Sequence, residues 1–283
     1  MSQKILVIDY NEDLVSKIQK QILAVRTDKP ELITRISNQV NERENLYCLL
    51  FEHKGSLADM PLSEEWIDIP LAVYAQGMGD FTTLVSRLPL LRRMNIKVYF
   101  STTRNESYRE LKILASLGVQ GCLIIDPESV DWNLVSDLMH YVVYTKTRHA
   151  NIDPFSYIVE KHKKDSRTDY NHVYFNDPAV FIHVGPLQEI SLSHDKLRKG
   201  EFLGKGLDLM AGLDENEDYI SHMNQWQEDF IQTKECSFCP GWRVCLGKFS
   251  TGGKLDECSA FFSEMLEAVD YVKSRDKKKE PIS

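Results

Sequence analysis

Between Cys236 and Cys258 the chain reads Cys236-Ser237-Phe238-Cys239-Pro240-Gly241-Trp242-Arg243-Val244-Cys245-Leu246-Gly247-Lys248-Phe249, and Cys258 follows a short Gly-rich loop. The pattern is C-x2-C-x5-C-x12-C. Four thiolates this close in sequence can close a site around zinc or an iron–sulfur cluster, and spacing alone separates those two weakly. Pro240-Gly241 makes a tight turn after the first pair, while Gly247, Gly252 and Gly253 let backbone pass close to a metal. Backbone N–H groups in such turns can point at thiolate sulfurs and stabilise their charge.

Two other accounts compete: two disulfides, or four unrelated buried thiols. The opening Met1-Ser2-Gln3-Lys4 enters a short apolar strand and then an acidic stretch, which does not read as a secretion signal. A cytoplasmic chain is therefore expected, and thiols there stay reduced. Scattered burial is a poor account because four of the six cysteines fall in this one segment. The other two, Cys48 and Cys122, sit in apolar strand-like runs and read as small buried hydrophobes.

A chain of 283 residues is long enough for one large domain, or for a medium domain with an appendage. With 42% hydrophobic and 27% charged residues it can bury a sizeable core. The net charge of -8 argues against a general nucleic-acid binder, which needs a basic footprint. No apolar run approaches the roughly 18 residues of a membrane span.

The first half alternates short apolar runs with helical periodicity. Strands are expected at Lys4 to Asp9, Leu46 to Phe51, Leu71 to Tyr74, Ile96 to Phe100 and Gly121 to Ile125. Helices are expected at Glu12 to Arg26, Glu31 to Arg43, Phe81 to Met94, Glu106 to Leu117 and Val130 to Tyr144. Such alternation predicts an α/β domain over residues 1–150, a parallel βα-repeat sheet that is doubly wound or part of a barrel. Asp9-Tyr10-Asn11-Glu12 has no glycine after the first strand, so a Rossmann or P-loop nucleotide site is not expected.

From about Asn151 the character changes, and residues 151–283 are expected to form a small α+β module. A helix starts at Asp153-Pro154. Short β-like pieces follow at His172 to Phe175, Val180 to Val184 and Glu189 to Leu192, which would pair antiparallel across turns at Asp177-Pro178 and Gly185-Pro186. Glu217 to Thr233 reads as a helix delivering the chain to Cys236. A last helix is expected from Ser259 to Lys273, its N-terminal dipole beside the thiolates. The tail to Ser283, with Lys277-Lys278-Lys279, reads as frayed and solvated.

The order of β pieces, a Leu203-Gly204 loop, a helix, C-x2-C-x5-C and a later cysteine resembles the SPASM or twitch extension of radical SAM peptide- and protein-modifying enzymes. That resemblance covers about residues 170 to 270. It implies that Cys236, Cys239, Cys245 and Cys258 bind an auxiliary [4Fe-4S] cluster, with Trp242, Leu246-Gly247 and Phe261-Phe262 as its filling. The family's C-x3-C-x2-C motif, which leaves one iron open for S-adenosylmethionine, is absent: the first half holds only Cys48 and Cys122. The resemblance thus implies a degenerate relative, a partial barrel with a single-cluster cap. Such a protein would be no autonomous enzyme, and would act beside an active radical SAM partner or present a peptide substrate.

The opening Lys4 to Asp13, with Ser101-Thr102-Thr103 and Leu117 to Gly121, also resembles a response-regulator receiver. Tyr10 stands where the second acid belongs, and Leu46 to Glu52 ends in no Asp, so a receiver here would not be phosphorylatable. The alternative function is then a zinc-stabilised regulatory or interaction protein. Asp9, Glu52, His53, Ser101 and Asp126 fall at strand ends, where α/β sites form but where polar residues are also common, so no catalytic residue is assigned. His172 and His183 read as solvated or hydrogen-bonded.

Overall fold

The apolar run Ile5-Leu6-Val7-Ile8 becomes a fully buried strand, and most of the elements that follow repeat its logic. A computed structural model describes residues 3–18, 21–41, 45–249 and 254–277. In chain order the elements begin β1 (Ile5–Asp9), α1 (Glu12–Lys17), β2 (Ile22–Thr27), α2 (Ile33–Asn41) and β3 (Leu46–Glu52). They continue with β4 (Leu71–Tyr74), α3 (Phe81–Leu91), β5 (Ile96–Ser101), α4 (Glu106–Ser116) and β6 (Gln120–Ile124). Next are α5 (Trp132–Tyr144), β7 (Ile152–Asp153), α6 (Phe155–Lys161), β8 (Phe181–Val184) and β9 (Glu189–Ser191). Last come α7 (His194–Lys199), β10 (Gly204–Lys205), α8 (Glu217–Gln232), α9 (Lys234–Phe238), α10 (Trp242–Cys245) and α11 (Leu255–Lys277).

These elements cluster into two compact units. The first combines residues 1–100 with 174–223, the second residues 101–173 with 224–283. Each is therefore built from two separated stretches of chain.

In the first unit the strands run β10-β9-β8-β1-β2-β3-β4-β5. From β8 to β5 every pairing is parallel, and β9 and β10 add antiparallel edge strands. Strands β1 to β5 lie in sequential order, as in a singly wound barrel-type sheet. A receiver would instead place its first strand between its second and third. The α/β class with a parallel βα repeat is thus present, with the barrel order. Helix starts are set by local chemistry. Asn11 Oδ1 accepts from the Leu14 N–H at 2.9 Å and Asp80 Oδ2 from the Thr83 N–H at 2.7 Å, caps worth about 1 kcal/mol each.

The second unit pairs β6 parallel with β7 and packs α5, α6 and α11 around an aromatic core of Trp132, Phe155, Tyr170, Phe249, Phe261 and Phe262. Asp131 caps α5 by accepting from the N–H groups of Asn133 and Leu134. Among the described residues no helix is long and apolar enough to cross a membrane.

Four local expectations are corrected. The helix expected from Glu12 to Arg26 ends at Lys17, and Ile22 to Thr27 is strand β2, paired parallel with β1 and β3. Ile22-Leu23-Ala24-Val25 satisfies helical spacing and a buried strand equally, and non-local pairing decides between them. His172 to Phe175 is no strand, since Tyr170–Tyr174 forms a 3-10 turn. Val180 to Val184 and Glu189 to Leu192 do pair antiparallel, as β8 with β9, but they extend the main sheet rather than form a small one, because β8 pairs parallel with β1 in register Ile5↔Phe181 through Ile8↔Val184. The last helix starts at Leu255, before Cys258. Gly252, Gly253, Lys278 and Lys279 lie outside the described residues.

Candidate metal centre

Helix α8 ends at Gln232, and α9 carries Cys236. The Cys239 N–H donates to the Cys236 carbonyl at 3.1 Å, closing the C-x2-C segment into a tight turn. Pro240-Gly241 then reverses the chain into α10, which ends on Cys245. Gly241 is needed for closeness: a Cβ there would stand 2.3 Å from Phe262 Cβ, so α11 packs directly on this backbone. Leu246 and Gly247 follow in the left-handed region, at φ 52° and 76°. Only glycine adopts that region without cost, and Leu246 holds it as the cap of α10, its N–H donating to the Trp242 carbonyl at 3.0 Å. The Lys248 N–H donates to the Cys245 carbonyl, completing the turn. Cys258 sits in the first turn of α11, its N–H donating to the Lys254 carbonyl.

These pieces bring Cys236, Cys239, Cys245 and Cys258 to the wall of one cavity, with Phe249 and Trp242 also lining it. Cys239, Cys245 and Cys258 are buried and Cys236 is half-buried. The enclosed space is about 20 Å³. Among the described residues no three His, Cys, Asp or Glu side chains are already drawn together closely enough to share an ion. The thiols converge on a common cavity without reaching coordination distance.

Their electrostatics show what such a cavity suits. Burial pushes the Cys245 thiol far up, and negative charge on Cys239, Cys258 and Cys236 would push it further. Burial likewise raises Cys258 to about 12, with charge on Cys239 and Cys236 adding to the effect. Without a cation the group stays protonated, and the Cys258 Sγ–H donates to the Leu255 carbonyl at 3.2 Å. A cation in the cavity reverses the balance, because each thiolate is then neutralised rather than opposed by its neighbours. Two backbone N–H groups already favour the thiolates: that of Gly247 at Cys245 and that of Ser259 at Cys258. The donor set has the chemistry of a four-thiolate site, though among the described residues the thiols are not drawn together around an ion.

The other sequence candidates disperse. Cys48 lies buried in β3, its thiol pushed up to about 12 by burial, and Cys122 lies buried in β6. The His53 ring Nε2 contacts the Ser56 carbonyl at 3.0 Å, and His172 stacks on Tyr157 at 5.3 Å. His183 is buried in β8 and donates from Nε2 to the Phe175 carbonyl at 3.0 Å. The Asp126 N–H donates to Thr102 Oγ1 in the second unit, where Ser101 also falls. Asp9 and Glu52, in contrast, meet in the first unit on opposite sides of Arg26. Sequence reasoning missed Arg26, because only parallel register sets it beside Asp9.

No family model matches the sequence. No curated protein matches it either. Among solved structures, native anSMEcpe with bound AdoMet is similar at TM-score 0.54 and 10% identity, over 97% of this chain and 100% of that one. A histidine-tagged anSMEcpe with bound AdoMet is similar at TM-score 0.52 and 9% identity, over 95% and 96%. Native anSMEcpe with bound AdoMet and Cp18Cys peptide gives TM-score 0.52 at 10% identity, over 95% and 99%. At such identity the likeness is one of fold. Along nearly its whole length, the chain has the fold of anSMEcpe.

Proposed function

We propose that this protein is a cluster-binding accessory relative of radical SAM maturases that does not cleave S-adenosylmethionine itself. The observation that carries this reading is the joint one: a chain with the anSMEcpe fold keeps a four-thiol cavity at Cys236, Cys239, Cys245 and Cys258, yet contains no C-x3-C-x2-C. A [4Fe-4S] cluster, when bound, supplies single-electron capacity, and four protein thiolates leave none of its irons open to a substrate. This chain's residues do the rest. Cys236 and Cys239 tie α9, Cys245 ties α10 and Cys258 ties the start of α11, so one bound group cross-links three helices. Gly247 and Ser259 offer N–H groups to two of the sulfurs. Phe249 and Trp242 give the same cavity an aromatic wall. In a reducing cytoplasm the protein would work with a protein or peptide partner, in one form an active radical SAM enzyme, as electron relay, scaffold or substrate presenter.

One observation favours zinc instead. The cavity of about 20 Å³ holds little more than one water-sized sphere, which suits a single ion without rearrangement. A four-iron cube needs the thiols to swing outward.

The accessory reading is tested by incubating anaerobically reconstituted protein with S-adenosylmethionine and dithionite and assaying 5′-deoxyadenosine. None is expected above a protein-free control. Catalytic production that survives repurification would contradict the reading.

A further inference from the structure

The first unit holds a second site, unrelated to the thiols, at the C-terminal ends of β1, β2 and β3. An open cleft of about 620 Å³ lies there, a volume in the range of small-molecule pockets. Parallel sheets place ligands at this end of their strands. The cleft floor carries a chain of charged contacts. Arg26, with only 13% of its side chain exposed, directs Nη1 at Asp9 Oδ1 at 3.6 Å and Nε at Glu52 Oε1 at 3.2 Å. His194 Nε2 stands 3.7 Å from Asp9 Oδ2. That contact is longer than a hydrogen bond, yet it does most to hold the Asp9 carboxyl below its ordinary range, ahead of Arg26 and against the effect of burial. Both carboxylates keep half of their surface open to the cleft, so each retains acceptor oxygens for a ligand.

The remaining charge on the wall is positive. Lys29 and Arg198 both line the cleft, and among the described residues neither makes an ion pair. Both are held by firm backbone. The Lys29 N–H donates to Thr27 Oγ1 at 3.1 Å, just before Pro30 opens a 3-10 turn. Arg198 is four residues beyond His194 on α7, so the two share one helix face. Helix α7 is fixed at one end by Ser193, whose Oγ accepts from the Lys196 N–H, and at the other by Gly200 at φ 77°. Asp28, the third acid of the wall, is already paired with Lys54 at 2.9 Å.

Two cations outside any ion pair and two half-open carboxylate acceptors line the same cleft, and together they suit a ligand that carries both an anionic group and hydroxyl donors. We propose that this cleft binds a small hydroxylated anion of the sugar-phosphate or hydroxycarboxylate class. Its phosphate or carboxylate lies between Lys29 and Arg198, and its hydroxyls donate to Asp9 and Glu52. The site does not depend on the metal centre, and its test reads binding alone.

The test is calorimetric titration of the full chain with ribose 5-phosphate, and separately with ribose and with inorganic phosphate, at constant ionic strength. Saturable millimolar or tighter binding of ribose 5-phosphate is expected, stronger than that of either fragment. The double variant Lys29→Ala/Arg198→Ala is expected to keep the wild-type melting temperature, since both side chains are exposed, and to bind at least about tenfold more weakly, as loss of two charge-assisted contacts implies. Absence of saturable binding overturns the proposal. So does an affinity for inorganic phosphate equal to that for ribose 5-phosphate, or a folded double variant that binds as tightly as wild type.

Discussion

At the scale of single residues, the proposed centre rests on four thiols and on the packing beneath them. Cys239 is a buried thiol in the turn that joins α9 to α10. Cys239→Ala removes one of four ligands, and binding here is coupled to local folding. The variant should lose its metal, measured by elemental analysis, together with the order of α9 and α10. Full metal content would remove Cys239 from the ligand set. Gly241→Ala tests the packing beneath the site. The added methyl would lie 2.3 Å from Phe262 Cβ, so the loop or α11 must shift. Overpacking of this kind costs about 1–3 kcal/mol, readable by urea denaturation of the metal-free protein. An unchanged midpoint would mean that α11 does not press on this loop.

His183 makes a third residue-scale prediction. Burial, with Arg26 second, lowers its pKa from 6.5 to about 3, so it is neutral in the folded chain. The unfolded chain takes up a proton that the folded chain refuses, so this residue lets stability rise with pH between about 3 and 6.5. Its contribution is complete above that window and is lost as pH falls, by about 2 kcal/mol from pH 6.5 to 5. Urea midpoints across that interval should show the slope in wild type, and His183→Gln should flatten it. Equal slopes would place the charged imidazole comfortably in the fold.

At the scale of elements, what was legible in the sequence divides by range. Strands β1, β3, β4 and β5 are apolar runs bounded by polar residues, and each is visible by itself. The clustering of the four cysteines is equally local, since they fall within one short segment and come to line one cavity. Strand β2 was not legible, because Ile22 to Val25 fits two periods and its neighbours on both sides arrive from elsewhere in the chain. The place of β8 beside β1 joins residues more than 170 positions apart, which no local pattern encodes. The cleft shares that fate: Asp9 and Glu52 were visible as strand ends, whereas Arg26, His194 and Arg198 reach them only through register and through the placing of α7. A prediction belongs at this scale. Chelating the metal should speed amide exchange in α9, α10 and the first turn of α11, and leave β1, β3 and β4 unchanged, since foldons open separately. Uniform acceleration would show that the thiols do not organise a local unit.

At the scale of the whole molecule, the fold is shared across a wide distance in sequence. The chain reproduces the anSMEcpe fold over 97% of its length at 10% identity. β1 runs into Asp9-Tyr10-Asn11, and the sequence contains no C-x3-C-x2-C. The four clustered thiols lie in the second unit, on the wall of one cavity. The account therefore stands or falls on what those four thiols hold. The deciding measurement is the iron, acid-labile sulfide and zinc content of protein purified without oxygen, taken with its visible spectrum. Our reading predicts about four irons and four sulfides per chain and a broad band near ~400 nm, as a closed four-cysteine cluster gives. A colourless protein with one zinc would contradict the cluster and the electron-relay role, and would leave a zinc-stabilised interaction protein with the anSMEcpe fold.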